Sequence, residues 1–505
     1  MENFVGIIQS SINDTLGSWI YLLPEISLAF IFILMIVADL FWAKRIKNLV
    51  AIIAVSGLFI TILETLDQFL LIHSSAIPLF GGMIKLSVSS VWYKLLIELS
   101  GLLVMLFSLR DFQLRNTEKG GSEYFSLVLV VTIGLNFMVM AQNLLMIYLS
   151  VEFVSVCSYI LAAYLTGNKR SEESGMKYAL FGAVASAVML YGMSLLYGFT
   201  GTLDITSSAF YNGLASISLM SASVALLLTL AGLFFKISAF PMQVWVPDVY
   251  EGAPTPITAF LSVAPKVAGI ALLITFITAV NSTNTTTGSV FLASTESLLA
   301  VVAIVTMTIG NFSALWQTNV KRLMAYSAIG HSGFILMGVA AYSMTGQKAI
   351  LFFLFVYALA NIGAFLVIGY FSNVFHSEEL EDYKGMGMKY PLISVAMVIF
   401  LVSLTGLPPT AGFVGKFFIF SAAVEAYMIG GNVLLLIMVI FGVVNTVVSL
   451  FYYFKIPLNL YLRKAKTEIS LEKGNLLFSV IIIFLALFTL FLGIFPSKLM
   501  GLMNW

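Results

Sequence analysis

The sequence predicts an all-α polytopic membrane protein of about fourteen transmembrane helices, with two inverted five-helix repeats and a broken helix in each. Three observations lead to this prediction: the composition, the recurrence of long apolar segments, and an internal similarity. Hydrophobic residues make up 60% of the 505 positions, charged residues make up 10%, and the mean hydropathy is +1.02. So little polar surface cannot cover a soluble globule of this size, and lipid must be the solvent.

Apolar segments long enough to span a bilayer, roughly 20 residues each, recur along the whole chain. The predicted helices 1 to 14 are 18–42, 48–72, 92–109, 124–140, 143–166, 176–200, 219–247, 255–280, 295–316, 321–343, 347–372, 389–429, 431–456 and 474–497. These runs are far longer than the roughly 10-residue strands of an outer-membrane barrel, so helices are the expected spanning elements. The first segment follows Glu2 and Asp14 without a basic region, which predicts a retained helix rather than a signal peptide.

The distribution of lysine and arginine predicts the orientation, because cytoplasmic loops carry most of these residues. With the N-terminus outside, 18 of the 25 fall in inner loops: Lys44, Arg45, Lys47, Arg110, Arg115, Lys119, Lys169, Arg170, Lys177, Lys321, Arg322, Lys384, Lys389, Lys455, Arg463, Lys464, Lys466 and Lys473. Four are expected outside: Lys85, Lys94, Lys348 and Lys498. The other three, Lys236, Lys266 and Lys416, lie within apolar segments. Both termini are therefore expected on the external side.

Several function classes are disfavoured by what the sequence lacks. The single cysteine, Cys157, excludes a disulfide framework and a four-cysteine iron–sulfur site. His73, His331 and His376 show no metal-ligand spacing, and neither a Walker A nor a dinucleotide-binding motif is present. The net charge of +1 argues against nucleic-acid binding. No metal and no cofactor are expected in this chain.

An internal repeat emerges when the chain is compared with itself at offsets of roughly 170–180 residues. The matched pairs include Tyr148 with Tyr326, Lys177 with Lys348, and Gly232 with Gly406. The unit comprises five helices, 4–8 and 9–13, so the second copy enters the membrane from the opposite side and the repeats are inverted. The predicted regions are N-terminal helices 1–3 (1–123), the first repeat (124–280), the second repeat (295–456) and helix 14 (474–505).

Helices 7 and 12 are the expected broken helices. Helix 7 contains Phe240-Pro241, and helix 12 contains Gly406-Leu407-Pro408-Pro409. A break frees backbone groups that must line a polar cavity, so ion sites are expected beside such breaks. Lys236 precedes the first break and Lys416 follows the second.

Four ionisable side chains, Glu152, Lys236, Lys266 and Lys416, are predicted deep in the membrane. Each would cost about 2.5–3.5 kcal/mol on insertion scales, so each is expected to be paired, hydrated or functional. A purely structural explanation is that each buried lysine forms an ion pair with an acid on another helix. Only one glutamate, however, is predicted at this depth for three lysines. Burial disfavours the charged form of a lysine and a nearby carboxylate stabilises it, which suits proton transfer.

Helix direction predicts the order of a proton relay. Lys236 lies toward the cytoplasmic half as the loading site, with Glu152 as its electrostatic partner, and Lys416 lies toward the external half as the exit. Lys266 and His331 connect them, because a histidine can pass protons through either ring nitrogen. A hydrogen-bonded packing role remains the alternative for His331.

The remaining intramembrane acids are weaker candidates. For those outside the repeats three explanations stay open, namely pairing with one another, contact with another subunit, or a position at a helix end: Glu64, Asp67 and Glu98. Three more lie near helix ends, where solvation is the expected explanation: Glu25, Asp39 and Glu425.

Three stretches resemble the antiporter-like N subunits of respiratory complex I, the proton-pumping NADH:quinone oxidoreductase. They are FFKISAFPMQVWVPDVYEGAPTPITAFLSVAPK (234–266), NVKRLMAYSAIGHSGFILMG (319–338) and GLPPTAGFVGKF (406–417). PDVYEGAP favours the N type over its L and M paralogues, and the resemblance covers essentially the whole chain. By this resemblance Glu152, Lys236, Lys266 and Lys416 match the glutamate of helix 5 and the lysines of helices 7, 8 and 12.

The resemblance implies proton translocation driven from a distant quinone site, in a bacterial inner membrane with both termini periplasmic. It implies no cofactor in this subunit, with flavin, iron–sulfur clusters and quinone in partner subunits. The implied neighbours are an M-type subunit, the small K-, J- and A-type subunits, the lateral helix of the L-type subunit, and lipid. The alternatives are a subunit of a cation/proton antiporter or membrane-bound hydrogenase of the same fold, a solute transporter, and a structural scaffold.

Overall fold

The computed structural model describes residues 9, 12–42, 48–72, 76–109, 111–115, 122–281, 286–375, 377–464 and 476–503. Within these ranges, 13 helices are long and apolar enough to cross a membrane. A fourteenth span results if the pair Phe478–Ile494 and Pro496–Leu502, which is bent by 87°, counts as one. The prediction of an all-α protein with about fourteen transmembrane helices is confirmed.

The transmembrane helices are labelled α1 to α14, so that each number matches that of the predicted helix. Their bounds are Leu23–Trp42 (α1), Leu49–Leu71 (α2), Val88–Ser108 (α3), Ser122–Met140 (α4), Leu144–Ala162 (α5), Lys169–Thr200 (α6), Leu219–Ile237 (α7), Thr255–Asn281 (α8), Thr286–Ala314 (α9), Val320–Ala340 (α10), Met344–Phe375 (α11), Pro391–Thr405 (α12a), Ala411–Gly430 (α12b), Val433–Pro457 (α13) and Leu476–Ile494 (α14). The short helices are Trp19–Leu22, Phe112–Arg115, Ser208–Ser216, Val246–Gly252, Leu380–Tyr383, Met386–Lys389, Leu458–Leu462 and Pro496–Leu502.

The helix starts are set by polar caps, because the first amide groups of a helix lack partners within it. Asparagine side chains accept hydrogen bonds from these amides at α5, α6, α10 and α13. Ser87 forms a reciprocal capping box with Ser90 at the start of α3. These caps fix where these five helices begin.

The two sides of the bundle differ in structure. One side, called the hairpin side, carries the antiparallel strands β1 (Ile77–Leu79) and β2 (Ile84–Leu86). On the other, called the basic side, Arg170, Lys321 and Glu378 line one cavity. Seven basic residues predicted for the basic side lie outside the described residues: Lys44, Arg45, Lys47, Arg110, Lys119, Lys466 and Lys473.

The centre of the bundle is formed by α8, α10 and α11. In the most apolar 18-residue segment of each of these helices, about nine-tenths is buried inside the protein, namely 89%, 94% and 94%. Close helix contact at this centre depends on small residues: a Cβ atom on Gly310 of α9 would lie 2.4 Å from the main-chain nitrogen of Gly330 on α10. The five predicted site residues lie on helices in or around this centre, whereas the proposed repeat itself stays a prediction.

Two expectations about the N-terminal helices were wrong. Lys94, expected outside, lies in the second turn of α3 with a fully buried side chain, because α3 begins at Val88 rather than at residue 92. Glu25, expected to be solvated at a helix end, is 2% exposed and forms an ion pair with Lys94. A helix start four residues earlier than predicted moves Lys94 about one turn deeper.

Candidate functional site

The break after α7 places Lys236 in the last turn of a half-helix. The helix ends at Ile237, and Ser238 adopts a left-handed conformation with φ of 62°. The main-chain nitrogen of Phe240 donates a hydrogen bond of 3.0 Å to the hydroxyl of Thr306 on α9, which anchors the break against the second half of the chain. A cation is favourable at a helix C-terminus, where unpaired carbonyl groups point.

The amine of Lys236 contacts a hydroxyl rather than a carboxylate. Its Nζ donates a 2.6 Å hydrogen bond to Ser155 Oγ on α5, and the side chain is 4% exposed. Glu152 lies one turn before Ser155, near enough to act on Lys236 electrostatically, but no ion pair joins the two within 4.0 Å. Glu152 Oε1 is buried and has no hydrogen-bond partner among the described groups. The expected pairing of Lys236 with Glu152 is therefore a longer-range interaction, with Ser155 as the direct contact.

Lys266 lies in the middle of α8 and reaches into the backbone of α10. Its Nζ lies 2.5 Å from the main-chain oxygen of Ala328. The hydroxyl of Ser332 is 3.1 Å from the same oxygen and 2.5 Å from the main-chain oxygen of Ile237 at the end of α7. Ser332 thus bridges the end of the α7 half-helix and the carbonyl that holds Lys266.

His331 lies close enough to Lys266 and Lys416 for both lysines to act on it electrostatically. Its Nε2 lies 3.0 Å from the hydroxyl of Tyr453 on α13, and its ring centroid is 5.1 Å from that of Tyr357. Its Nδ1 is buried without a hydrogen-bond partner among the described groups. One ring nitrogen is therefore engaged, and the other makes no hydrogen bond to the described groups.

The hydroxyl of Tyr453 leads to further polar groups that the sequence reasoning missed. It also contacts the hydroxyl of Ser327, one turn before His331. Nearby, Tyr452 donates a 3.0 Å hydrogen bond to Asn311 Oδ1, and Asn311 Nδ2 donates one of 3.2 Å to Asn445 Oδ1. Tyrosines in an apolar helix are ordinarily assigned to packing, and only their adjacency at positions 452 and 453 could have drawn attention to them.

The second break places Lys416 between two half-helices. The half-helix α12a ends at Thr405 and is capped by Gly406, whose φ of 87° suits glycine, and Lys416 lies in the second turn of α12b. Its Nζ donates a 2.8 Å hydrogen bond to the main-chain oxygen of Thr405, the last residue of α12a. The same amine lies 4.3 Å from the ring centroid of Phe334, at cation–π distance. Both lysines thus lie beside a break, but only the amine of Lys416 contacts helix-terminal backbone.

The site contains three buried amines whose direct partners are neutral. No carboxylate among the described residues lies within ion-pair distance of these amines, which belong to Lys236, Lys266 and Lys416. All three are at most 4% exposed. An amine held by hydroxyl and carbonyl groups can exist as ammonium or as neutral amine, and the neutral form avoids the cost of a buried charge. This arrangement can bind and release protons.

A cavity of about 370 Å³ opens on the basic side, at the junction of the two halves of the chain. Lys321 in its wall forms a buried 2.8 Å ion pair with Glu378 and also donates to the main-chain oxygen of Ala253. Beside it, Arg322 contacts Asp248 at 2.7 Å and Glu251 at 2.9 Å. A cavity of this size holds many waters, since one water needs about 10–15 Å³. It offers a polar approach from this side.

Two of the three histidines, His73 and His376, lie outside the described residues. Cys157 is a free, half-buried thiol on α5. Within the described ranges, no group of three or more His, Cys, Asp or Glu side chains is arranged to hold a metal ion.

Residues 141–449 match the family described as NADH:quinone oxidoreductase/Mrp antiporter, transmembrane. The chain is 41% identical over 483 residues to NADH-quinone oxidoreductase subunit N 2 of Chloroherpeton thalassium, covering 94% of this chain and 92% of that protein. It is similar to a chain of respiratory complex I from Thermus thermophilus, with a TM-score of 0.77, 27% identity, and coverage of 95% and 99%. It shares its fold with a chain of the Mrp complex from Dietzia, at a TM-score of 0.81 and 22% identity, over 96% of each chain.

Proposed function

The chain belongs to the NADH:quinone oxidoreductase/Mrp antiporter transmembrane family as an N-type subunit, and we propose that it carries protons through a relay of Glu152, Lys236, Lys266, His331 and Lys416. Its relatives are subunits of an NADH-quinone oxidoreductase, a translocase, and this chain is a multi-pass membrane subunit of such a complex. The relay is assigned to side chains and needs no redox group in this chain.

The observation that carries the proposal is the set of three buried lysines without a carboxylate partner among the described groups. A structural ion pair would place an acid against each amine, which is not the arrangement here. Hydroxyl groups contact the predicted relay: Ser155 contacts Lys236, Tyr453 contacts His331, and Ser332 contacts the carbonyl that holds Lys266. Hydroxyl groups both donate and accept hydrogen bonds, so they suit the transfer of a proton between amines and imidazole.

The direction of transfer follows from the proposed orientation. The basic side faces the cytoplasm of a bacterial inner membrane, since that side carries Lys169, Arg170, Lys321 and Arg322. Protons then enter from the cavity on the basic side, load Lys236, pass Lys266 and His331, and leave from Lys416. Both termini lie on the periplasmic side in this orientation.

In this proposal, other subunits of the complex surround the chain and hold the redox groups. The proposed neighbours are an M-type subunit, the K-, J- and A-type subunits and the lateral helix of the L-type subunit. Flavin, iron–sulfur clusters and quinone are assigned to partner subunits. Identification of the subunits that co-purify with the native assembly distinguishes this complex from an antiporter or a hydrogenase of the same fold.

The test uses Lys266→Met in the native complex, reconstituted into vesicles that report acidification during NADH oxidation. Methionine keeps much of the apolar stem but removes the amine, so we expect several-fold slower proton translocation in a fully assembled complex. Lys169→Met, at an exposed position on the basic side, is the matched control and should pump normally. Normal pumping by Lys266→Met would remove the central lysine from the relay.

A further inference from the structure

A second buried charge cluster lies outside the predicted repeats, among helices α1 to α4. Lys94 Nζ on α3 and Glu25 Oε1 on α1 form an ion pair of 2.6 Å, with side chains 0% and 2% exposed. Lys94 also donates a 2.9 Å hydrogen bond to Gln68 Oε1 on α2. Four helices thus contribute to what is called here the N-terminal cluster, comprising Glu25, Thr65, Gln68, Lys94, Glu98 and Asn136.

Glu98 is the second carboxyl group of the N-terminal cluster, and it lies at the middle of α3 with no exposed surface. Its Oε1 accepts hydrogen bonds from Thr65 Oγ1 at 3.0 Å and Asn136 Nδ2 at 2.9 Å. The same Asn136 nitrogen lies 3.2 Å from Glu25 Oε1. Asn136 therefore links the two carboxyl groups to each other.

Three acceptor oxygens of the N-terminal cluster receive no hydrogen bond. Glu25 Oε2, Glu98 Oε2 and Asn136 Oδ1 are all buried without a hydrogen-bond partner among the described groups. The charges are also unbalanced, because two carboxylates face one ammonium and leave a net charge of −1 in the membrane interior. A buried charge there costs about 2.5–3.5 kcal/mol or more. One additional proton on a carboxyl oxygen removes the excess charge and supplies a missing donor.

A route for that proton leads to the hairpin side. Ser90, Lys94 and Glu98 are spaced four residues apart and share one face of α3, over about 12 Å at 1.5 Å per residue. Ser90 and Tyr93 line a cavity of about 440 Å³ on the hairpin side, and Gln142, just beyond the end of α4, lines it as well. The N-terminal cluster therefore begins one turn below a cavity that is lined by both polar and apolar residues and is large enough for many waters.

We propose that the N-terminal cluster is a second proton-binding site, separate from the lysine relay, which holds one exchangeable proton between Glu25 and Glu98. A hydronium ion in the cavity on the hairpin side gives up the proton and becomes water, and the proton forms an O–H bond with one of the two unpartnered Oε2 atoms. Its release returns the same proton to that cavity. Lys94 remains the counter-charge of the remaining carboxylate.

The groups around the cluster support this assignment. The charged groups that act most strongly on Glu98 are Lys94 and Glu25 themselves. On α2, Glu64 accepts a hydrogen bond from Ser27, and Glu64 and Glu25 repel each other electrostatically. The helix α8, which packs against α3, carries a single ionisable side chain, Lys266, and that amine is held by Ala328 on α10.

Infrared difference spectroscopy on the purified complex tests the proposal without relying on pumping. A protonated carboxyl group has a C=O stretching band distinct from the carboxylate bands, and the band shifts when its hydrogen exchanges for deuterium. We expect the wild-type minus Glu98→Gln difference to contain such a band, with the deuterium shift. Glu98→Asp, which keeps a carboxyl group, should move the band rather than abolish it.

Two further variants sharpen the test. Asp67→Asn removes an exposed carboxyl group on α2 and should leave the band unchanged. Lys94→Met removes the counter-charge, so both carboxyl groups should become neutral and the band should grow. The proposal is overturned if no protonated carboxyl band is lost in Glu98→Gln, or if the band is present but never exchanges with D₂O. A failure of the lysine relay would leave all of these spectra unaffected.

Discussion

The amine of Lys266 lies 2.5 Å from the main-chain oxygen of Ala328, in the interior of α10 rather than at its end. That oxygen also lies within hydrogen-bond distance of Ser332, whose hydroxyl reaches the last carbonyl of α7. Because Lys236 is in that last turn, Ser332 connects the carbonyl that holds Lys266 to the half-helix that carries Lys236.

Lys236 is expected to be the loading site, and Lys236→Ala should reduce proton translocation several-fold in an assembled complex. Ser155→Ala keeps the lysine but removes its 2.6 Å hydrogen bond, so a smaller reduction is expected. Such a bond to a charged group contributes about 1.5–3 kcal/mol. Vesicle acidification coupled to NADH oxidation measures both variants, with Lys169→Ala as the exposed control. If Ser155→Ala impaired pumping as much as Lys236→Ala, the hydroxyl would itself be part of the pathway.

Lys416 is expected to release protons, so its side chain must be able to become a neutral amine. Lys416→Arg should impair pumping about as strongly as Lys416→Ala, because a guanidinium group stays protonated at any working pH. Both can be measured in the same vesicle assay, with the amount of assembled complex as the control for folding. Normal pumping by Lys416→Arg would mean that a fixed charge beside Thr405 suffices.

The sequence predicted the helix count, both helix breaks and the placement of Lys236 and Lys416 beside them, because long apolar runs and prolines act locally. It did not predict Ser155, Ser332 or Tyr453, since hydroxyl groups in apolar helices have no pattern that separates contact from packing. Lys94 was misplaced for a different reason. Helix ends are uncertain by about 2–4 residues from sequence, and one turn decides whether a lysine near an end reaches solvent.

Asp111, beyond the end of α3, gives a pH-dependent prediction. Burial raises the pKa of this carboxyl group from 3.8 to about 6, although the amide of Leu114 donates to it at 3.0 Å. Between these two pH values the folded protein binds more protons than the unfolded chain, so stability falls as pH rises through this window. Above pH 6 the ionised group costs on the order of 3 kcal/mol.

Asp111→Asn keeps the helix cap but cannot ionise, and asparagine caps about as well as aspartate. The variant should therefore unfold at a higher temperature than the wild type at about pH 7.5, with little difference at about pH 4. Thermal unfolding of the detergent-solubilised complex measures both. An equal difference at the two pH values would assign the effect to packing rather than to ionisation.

Cysteine labelling tests the orientation. Ser171 is unsuitable as a probe because it is buried and donates to the main-chain oxygen of Ala162, whereas Lys169 is exposed at the start of α6. In a Cys157→Ser background, Lys169→Cys should react with a membrane-impermeant maleimide in inside-out vesicles and not in intact cells. Reaction only in intact cells would reverse the orientation and the direction assigned to the relay.

Glu152 and Lys236 provide the sharpest test of electrostatic coupling, because Ser155 separates them instead of a direct ion pair. The carboxyl group is half-buried, and its Oε1 has no hydrogen-bond partner among the described groups, so little besides charge depends on it. Glu152→Gln keeps the shape and removes the charge that favours the ammonium form of Lys236. Proton loading should then be weaker, and translocation should fall toward the level of Lys236→Ala.

The double variant decides whether Glu152 and Lys236 act as a unit. If Glu152 acts only by stabilising a proton on Lys236, adding Glu152→Gln to Lys236→Ala should change translocation little, since residues that act together are not additive. The four proteins of this cycle can be compared in the vesicle assay at equal amounts of assembled complex. Simple additivity, or wild-type pumping by Glu152→Gln, would assign Glu152 to a structural or inter-subunit role. Because the two side chains are on different helices without direct contact, a non-additive result could not come from a lost ion pair and would have to reflect the charge itself.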